Sequence, residues 1–192
     1  MLNDWEVRLV ERVQIRDFIE RYHYSQSING CISDYCFGLY DKEELKGAMF
    51  YGRMAMANQW KRFSDCPERV IELRRLCCID ETPKNTESYF IGKSLRLLSR
   101  LWRKDGIVVS YADKEYGHEG TIYKASNFKD VGDVKGAKVI YYKGRRYHDK
   151  TIRTKYKGTL KPFAKVIKEA LDTGEAFYQK TAGKKTYVYN LR

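Results

Sequence analysis

A chain of 192 residues with 43% hydrophobic content is long enough to bury a full core, and its formal net charge of +12 points to a polyanionic partner. No apolar run approaches the ~18 residues of a membrane span, and the N-terminus MLNDWEVRLVERV is too charged for a signal peptide, so a cytoplasmic protein without membrane contact is expected. Five cysteines (Cys31, Cys36, Cys66, Cys77 and Cys78) lack metal-ligand spacing and read as reduced thiols.

Residues 6–13 are predicted to form a first strand, feeding a helix with Ile15, Phe18, Ile19 and Tyr22 on one face. His23-Tyr24-Ser25 falls where that helix ends, and residues 27–30 read as a loop. Residues 35–41 and 45–54 have the pattern of two strands joined by a polar turn, followed by an irregular crossing segment. Residues 70–79 are again strand-like but hold Arg74 and Arg75 in their middle. Strict alternation puts one of these on each face of a covered strand, and a buried guanidinium needs a carboxylate, a phosphate or a similar partner.

A strong helix is predicted from Thr86 to about Trp102, with Ile91, Leu95, Leu98 and Trp102 as its apolar stripe and Asn85 as its N-cap. Gly106 closes it before Ile107-Val108-Val109, a run typical of a strand buried on both faces. That strand turns polar at Ser110-Tyr111-Ala112-Asp113, and ligands gather beyond the carboxyl ends of such strands. Residues 70–112 thereby make one right-handed βαβ unit. A turn at 117–120 leads to a short segment with Ile122, Tyr123, Ala125 and Asn127. A further strand is expected at 137–143. Pro162 then starts a helix ending near Gly174, and a closing hairpin turns about Ala182-Gly183. One domain over 1–192 is expected, with a basic extension from about 143.

Between Lys143 and Lys168 there are ten Lys or Arg and one acid, Asp149. From Tyr141 onward cations interleave with Tyr141, Tyr142 and Tyr147, which suits phosphate contact plus base stacking on nucleic acid. Arg145, Arg146, Lys150, Arg153, Lys155 and Lys157 are the candidate phosphate contacts. His23, His118 and His148 do not form a metal motif by spacing. Asp113 is a candidate to accept a proton or orient a neighbour, and Tyr123 to donate one.

The order strand, helix, hairpin, strand, helix, strand, short helix, strand resembles the acyl-CoA N-acyltransferase (GNAT) architecture. The expected fold is accordingly α/β (α+β), a mixed central sheet with helices on both faces, plus a basic C-terminal helix and hairpin. The resemblance implies that the loop and helix start at 84–88, with Asn85 and Ser88, receive the phosphates of acetyl-CoA or a related acyl donor. The glycine-rich R/Q-x-x-G-x-G/A of that superfamily is absent.

More narrowly, the chain resembles the phage Mom-type DNA adenine-modification proteins, a divergent GNAT branch. The residues that carry this are His23-Tyr24-Ser25, Glu72-Leu73-Arg74-Arg75-Leu76, Asn85 with Ser88, Ser110-Tyr111-Ala112-Asp113, Gly117-His118-x-Gly120-Thr121-Ile122-Tyr123-x-Ala125 and Tyr141-Tyr142-x-Gly144-Arg145-Arg146. The resemblance implies conversion of adenine in duplex DNA to an N6-carbamoylmethyl-type (acetamido) base, shielding phage DNA from restriction. It further implies an active-site set of His23, Tyr24, Arg75, Ser88, Asp113 and Tyr123, with Arg75 and Ser88 on the donor and His23 and Tyr24 lining the substrate pocket. A redox-active iron is an alternative chemistry that the spacing of residues does not support. Two other functions stay open: an ordinary GNAT enzyme acetylating a protein or small amine, and a non-catalytic DNA-binding protein. Oligomeric state is open too, a homodimer included.

Overall fold

Continuous apolar runs such as Ala48-Met49-Phe50-Tyr51 suit strands covered on both sides. The computed structural model describes residues 2–192 and bears this out. Its strands are β1 (Glu6–Val10), β2 (Tyr35–Asp41), β3 (Glu44–Gly52), β4 (Val70–Cys78), β5 (Ile107–Asp113), β6 (Lys129–Val134), β7 (Lys138–Tyr142), β8 (Arg145–His148), β9 (Ala176–Lys180) and β10 (Lys184–Asn190). Its helices are α1 (Arg12–Tyr22), α2 (Thr86–Leu101), α3 (Thr121–Ala125) and α4 (Pro162–Thr173).

Two compact units divide the chain: one holds residues up to 112, 118–132 and 185–192, the other 113–117 and 133–184. The first is organised on a seven-stranded sheet in the order β1-β2-β3-β4-β5-β10-β6. Strands β1 to β4 are antiparallel neighbours, while β4 and β5 run parallel around α2, the βαβ unit expected from the sequence. Alternation along β3 sends Ala48 and Phe50 to one face, where they pack with Ile15 and Ile19 of α1. Met49 and Tyr51 go to the other face and meet Phe90, Ile91, Leu95 and Leu98 of α2. Each large side chain buried there contributes roughly 1.5–3 kcal/mol. The sheet therefore carries helices on both faces, as the sequence predicts. Tyr51 is fully buried, and its hydroxyl shares a 2.7 Å hydrogen bond with Ser94, so this core polar group is satisfied.

The second unit has its own three-stranded sheet, β8-β7-β9, packed on α4 through Ile140, Ile167, Ala170 and Ala176. Pro162 opens α4 and Gly174, at φ 82°, follows its end, as the sequence predicts. The closing hairpin is corrected. Strand β9 pairs with β7, whereas β10 enters the seven-stranded sheet between β5 and β6. Among the described residues no helix is long and apolar enough to cross a membrane.

Candidate active site

The central feature of the first unit is a gap opened by one extra residue. Across β3 and β4, Tyr51 lies opposite Leu73 and Phe50 opposite Arg75, so Arg74 has no partner position and forms a bulge. A bulge bends its strand and increases the local twist. Parallel pairing of β4 with β5 accordingly runs only from Val70↔Ile107 to Leu73↔Ser110, and beyond that point the two strands diverge. The bulge also overturns the expectation of one arginine per face. Arg74 donates to the Arg53 carbonyl (2.8 Å), lies 3.7 Å from the Cys31 sulfur and 3.6 Å from Glu72, while Arg75 donates to the Ser27 carbonyl (3.3 Å). Both guanidinium groups thus reach the loop after α1.

That loop carries the first cluster of candidate residues. His23 follows the end of α1 in an extended conformation and is buried. Its Nδ1 accepts from the Ser25 backbone N–H (3.1 Å) and lies 2.8 Å from the Ser25 hydroxyl. A ring nitrogen that accepts carries no proton, so neutral His23 holds its proton on Nε2. Burial first, then the Arg75 guanidinium and His118, push its pKa down to about 4. The rings of His23 and Tyr24 are 4.2 Å apart, and those of Tyr24 and His118 5.3 Å. The structure therefore gathers His23, Tyr24 and Arg75, and adds His118.

The second cluster lies at the point where β4 and β5 part. Ser110 is fully buried and donates to the Leu73 carbonyl at 3.5 Å. Tyr123, on α3, packs against Phe128 and Tyr187 with ring centroids 5.6 and 5.3 Å away. Burial raises the pKa of its phenol, Ser110 hydrogen bonding pulls it partly back, and Glu72 and Tyr187 add to the rise. The hydroxyl is consequently protonated at neutral pH and able to give up a proton only to a strong acceptor. Placement of α3 depends on Gly120, at φ 72°, where a Cβ would come within 2.3 Å of the Tyr187 ring. Tyr187 in turn donates to the Glu119 carbonyl at 2.7 Å. Tyr187 was not among the sequence candidates; the only hint was a glycine directly before the short helix.

At the start of α2, Asn85 does not act as the expected cap. Its backbone is left-handed (φ 70°), and no side chain caps the helix. Ser88 donates its hydroxyl to the Asn85 carbonyl (3.0 Å) and Thr86 to the Pro83 carbonyl (2.6 Å). Thr86 N–H bonds Pro83, which leaves the following first-turn N–H groups without an intrahelical partner, beside the acidic Glu87.

Asp113 belongs to the second unit, and its partners there are clear. Its Oδ1 accepts from the Glu115 N–H (3.1 Å) and its Oδ2 lies 3.0 Å from the Lys184 ammonium. The six candidate phosphate contacts are all exposed in that unit: Arg145 and Arg146 on β8, Lys150 in the turn after it, then Arg153, Lys155 and Lys157. Arg153 pairs with Asp149. Fifteen Lys or Arg against seven Asp or Glu give this unit eight of the twelve net positive charges. Among the described residues no group of three or more His, Cys, Asp or Glu is arranged to hold a metal ion.

Comparison with known proteins gives two kinds of likeness. The model of a family described as the Mom protein family matches residues 4–192. A curated relative, "Methylcarbamoylase mom" of Escherichia phage Mu, is 28% identical over 148 residues, covering 74% of this chain and 59% of its own length. This chain thus spans under two thirds of that relative. In fold, it is similar to Arabidopsis thaliana NAA60, solved in complex with acetyl-CoA (TM-score 0.53, 10% identity, 97% of this chain and 98% of that one). An N-acetyltransferase from Staphylococcus aureus Mu50 is similar too (TM-score 0.52, 11% identity, 98% of this chain and 99% of that one). The fold is that of the GNAT acetyltransferases.

Proposed function

Because this chain belongs to the Mom protein family, we propose that it is a transferase that modifies adenine in double-stranded DNA at the exocyclic N6, taking the group from a donor held at the CoA-type site of the fold. The observation that carries the proposal is the parting of β4 from β5 after Leu73 and Ser110, with Tyr123 and Ser110 at its vertex. The activity in the Mu relative's name supports the reaction class, and the fold supports a CoA-type donor site.

The residues present fit such a donor. First-turn N–H groups of α2 after Thr86, at Glu87 and Ser88, suit its phosphates, while the Arg75 guanidinium, which donates to the Ser27 carbonyl, lies beside His23. When bound, a donor of this class supplies an activated carbon and a leaving group. Tyr123, kept protonated by burial, is the proton source for that leaving group. Neutral His23 offers an Nε2–H donor, and Tyr24 a ring face, to the incoming base.

Adenine N6 is a weak nucleophile because its lone pair is delocalised into the ring. A carboxylate that accepts an N6–H hydrogen bond raises the electron density on that nitrogen. Asp113, ion-paired with Lys184 within its own unit and therefore an acceptor, is the carboxylate that the sequence offers for this role. The base must leave the duplex stack to be reached, at a cost of a few kcal/mol. The product we propose is an N6-carbamoylmethyl-type base, which fills the major groove where restriction nucleases read it. Its N6 bonds a methylene and not a carbonyl, so the donor must carry the amide and its leaving group on that methylene. The N6–CH2 bond forms as the bond from CH2 to the leaving group breaks, the leaving group takes the Tyr123 proton, and N6 loses its own proton to solvent.

Mass analysis of nucleosides from DNA of cells expressing the protein tests this. A carbamoylmethyl adduct on deoxyadenosine exceeds an acetyl adduct by one NH, so the spectrum also identifies the group. The expected result is the heavier deoxyadenosine. Finding every adenine unaltered, in a host able to make the donor, would end the proposal.

A further inference from the structure

The three-stranded sheet of the second unit has two faces, and α4 packs on one of them. Register puts Lys138, Ile140 and Tyr142 on that face, opposite Lys180, Tyr178 and Ala176 of β9. The other face carries Arg146, Tyr141 and Phe177 in a single row across the three strands, because Tyr141 is the pairing partner of both the others. The adjoining row is His148, Val139 and Gln179; Val139 is buried, so the exposed part of this face is the row of Arg146, Tyr141 and Phe177. The rings of Tyr141 and Phe177 lie within 16° of parallel, with centroids 5.8 Å apart. Phe177 is 57% exposed on a strand at the edge of its sheet, while Arg146 and His148 are exposed beside it.

An exposed phenylalanine on a flat face buries little within the unit, so its apolar area is available to a partner. An aliphatic protein surface or a lipid would find few apolar neighbours here. The rings are bordered by Arg146, His148 and Gln179, in a unit with fifteen cations against seven acids. Flat parallel rings beside a guanidinium match a nucleobase with its phosphate, as in other sheet platforms that bind unpaired strands.

We propose that this row is a stacking platform for unpaired nucleobases of the DNA strand, with Phe177 and Tyr141 against the bases and Arg146 on a flanking phosphate. The proposal rests on DNA being the substrate, since extruding one adenine leaves its opposite base unpaired. It extends the DNA-binding surface from a field of exposed cations to a built face that distinguishes unpaired from paired DNA.

Fluorescence anisotropy on the full chain tests it, with a labelled oligothymidylate of about ten nucleotides and an abasic oligomer of the same length. The wild type should bind the base-bearing oligomer at least about tenfold more tightly than the abasic one. Phe177→Ala should abolish that difference and Phe177→Trp restore it. Affinity for a fully paired duplex should stay within about twofold, since phosphates supply most of it. An unchanged melting temperature would show that Phe177→Ala still folds, and Phe177→Trp gives an independent check. Equal affinity of the wild type for the two oligomers, or full discrimination by Phe177→Ala, overturns the proposal. So does a change of oligomeric state in Phe177→Ala without any dependence on bases, which would assign the face to a second copy of the chain. Only binding is read, so unmodified adenine in cells would end the functional proposal without deciding this one.

Discussion

His23 is buried beside the Arg75 guanidinium and His118, and its pKa is held down to about 4 from an ordinary 6.5. Between these values the unfolded chain binds a proton that the folded chain does not, so stability is lost as pH falls from about 6.5 toward 4. Thermal melts across that window should show a drop in the wild type and a shallower one in His23→Gln; identical pH profiles would mean that His23 is not held neutral. Asp113 invites a second test at this scale, because its partner Lys184 gives it a structural role as well. If Asp113 does chemistry, Asp113→Asn should lower adenine modification far more than Lys184→Gln does at matched loss of stability. Equal losses in both variants would reduce Asp113 to an ion-pair anchor. His23, Tyr24, Arg75 and Tyr123 enter the sequence reading through the family resemblance, and the structure brings the first three of them together. Tyr187 was not legible in the sequence, since its ring meets Gly120 only through the placement of β10 in the sheet.

Regular alternation was the wrong guide for one element, β4. A period of two cannot register an inserted residue, and the bulge at Arg74 turns both arginines toward the same loop. The βαβ unit around it was readable, because the apolar stripe of α2 and the run Ile107-Val108-Val109 dictate their own packing. The start of α3 gives a test of how the site is held. Gly120→Ala meets both a left-handed backbone and the Tyr187 ring, whereas Gly30→Ala meets the same φ with open space around it. Gly30→Ala should cost about 1 kcal/mol or somewhat more, and Gly120→Ala clearly more, with loss of modification as Tyr123 shifts. Chemical denaturation measures both, and equal costs would remove Tyr187 from the support of α3. At α2, Ser88→Glu adds a second negative charge beside Glu87 while remaining a reasonable first-turn residue. Modification should fall with the melting temperature nearly unchanged; full activity would mean that the donor does not use this helix end.

At the scale of the whole molecule, the basic composition was plain from the sequence, but its architecture was not. A glycine turn between two strands reads as a hairpin whichever strands they join, and here β9 and β10 serve different sheets. Nor does β8 stand out, because its four residues are Arg145, Arg146, Tyr147 and His148 rather than an apolar run. If these arginines and the cations after them meet phosphates, duplex affinity should fall about 10³-fold or more between ~50 and ~200 mM salt. Replacing Arg145 and Arg146 together should flatten the salt slope by about two, on unrelated sequences alike. An unchanged slope would put the DNA face elsewhere. The central claim is that adenine chemistry takes place where β4 parts from β5, with Tyr123 as the proton source. Its most direct measurement is the modified deoxyadenosine content, by mass spectrometry, of DNA from cells expressing wild type or Tyr123→Phe at equal levels. The expected result is an abundant adduct in the wild type and at least about 10²-fold less in the variant, with duplex affinity preserved. A Tyr123→Phe protein that modifies adenine as fully as the wild type would contradict the claim.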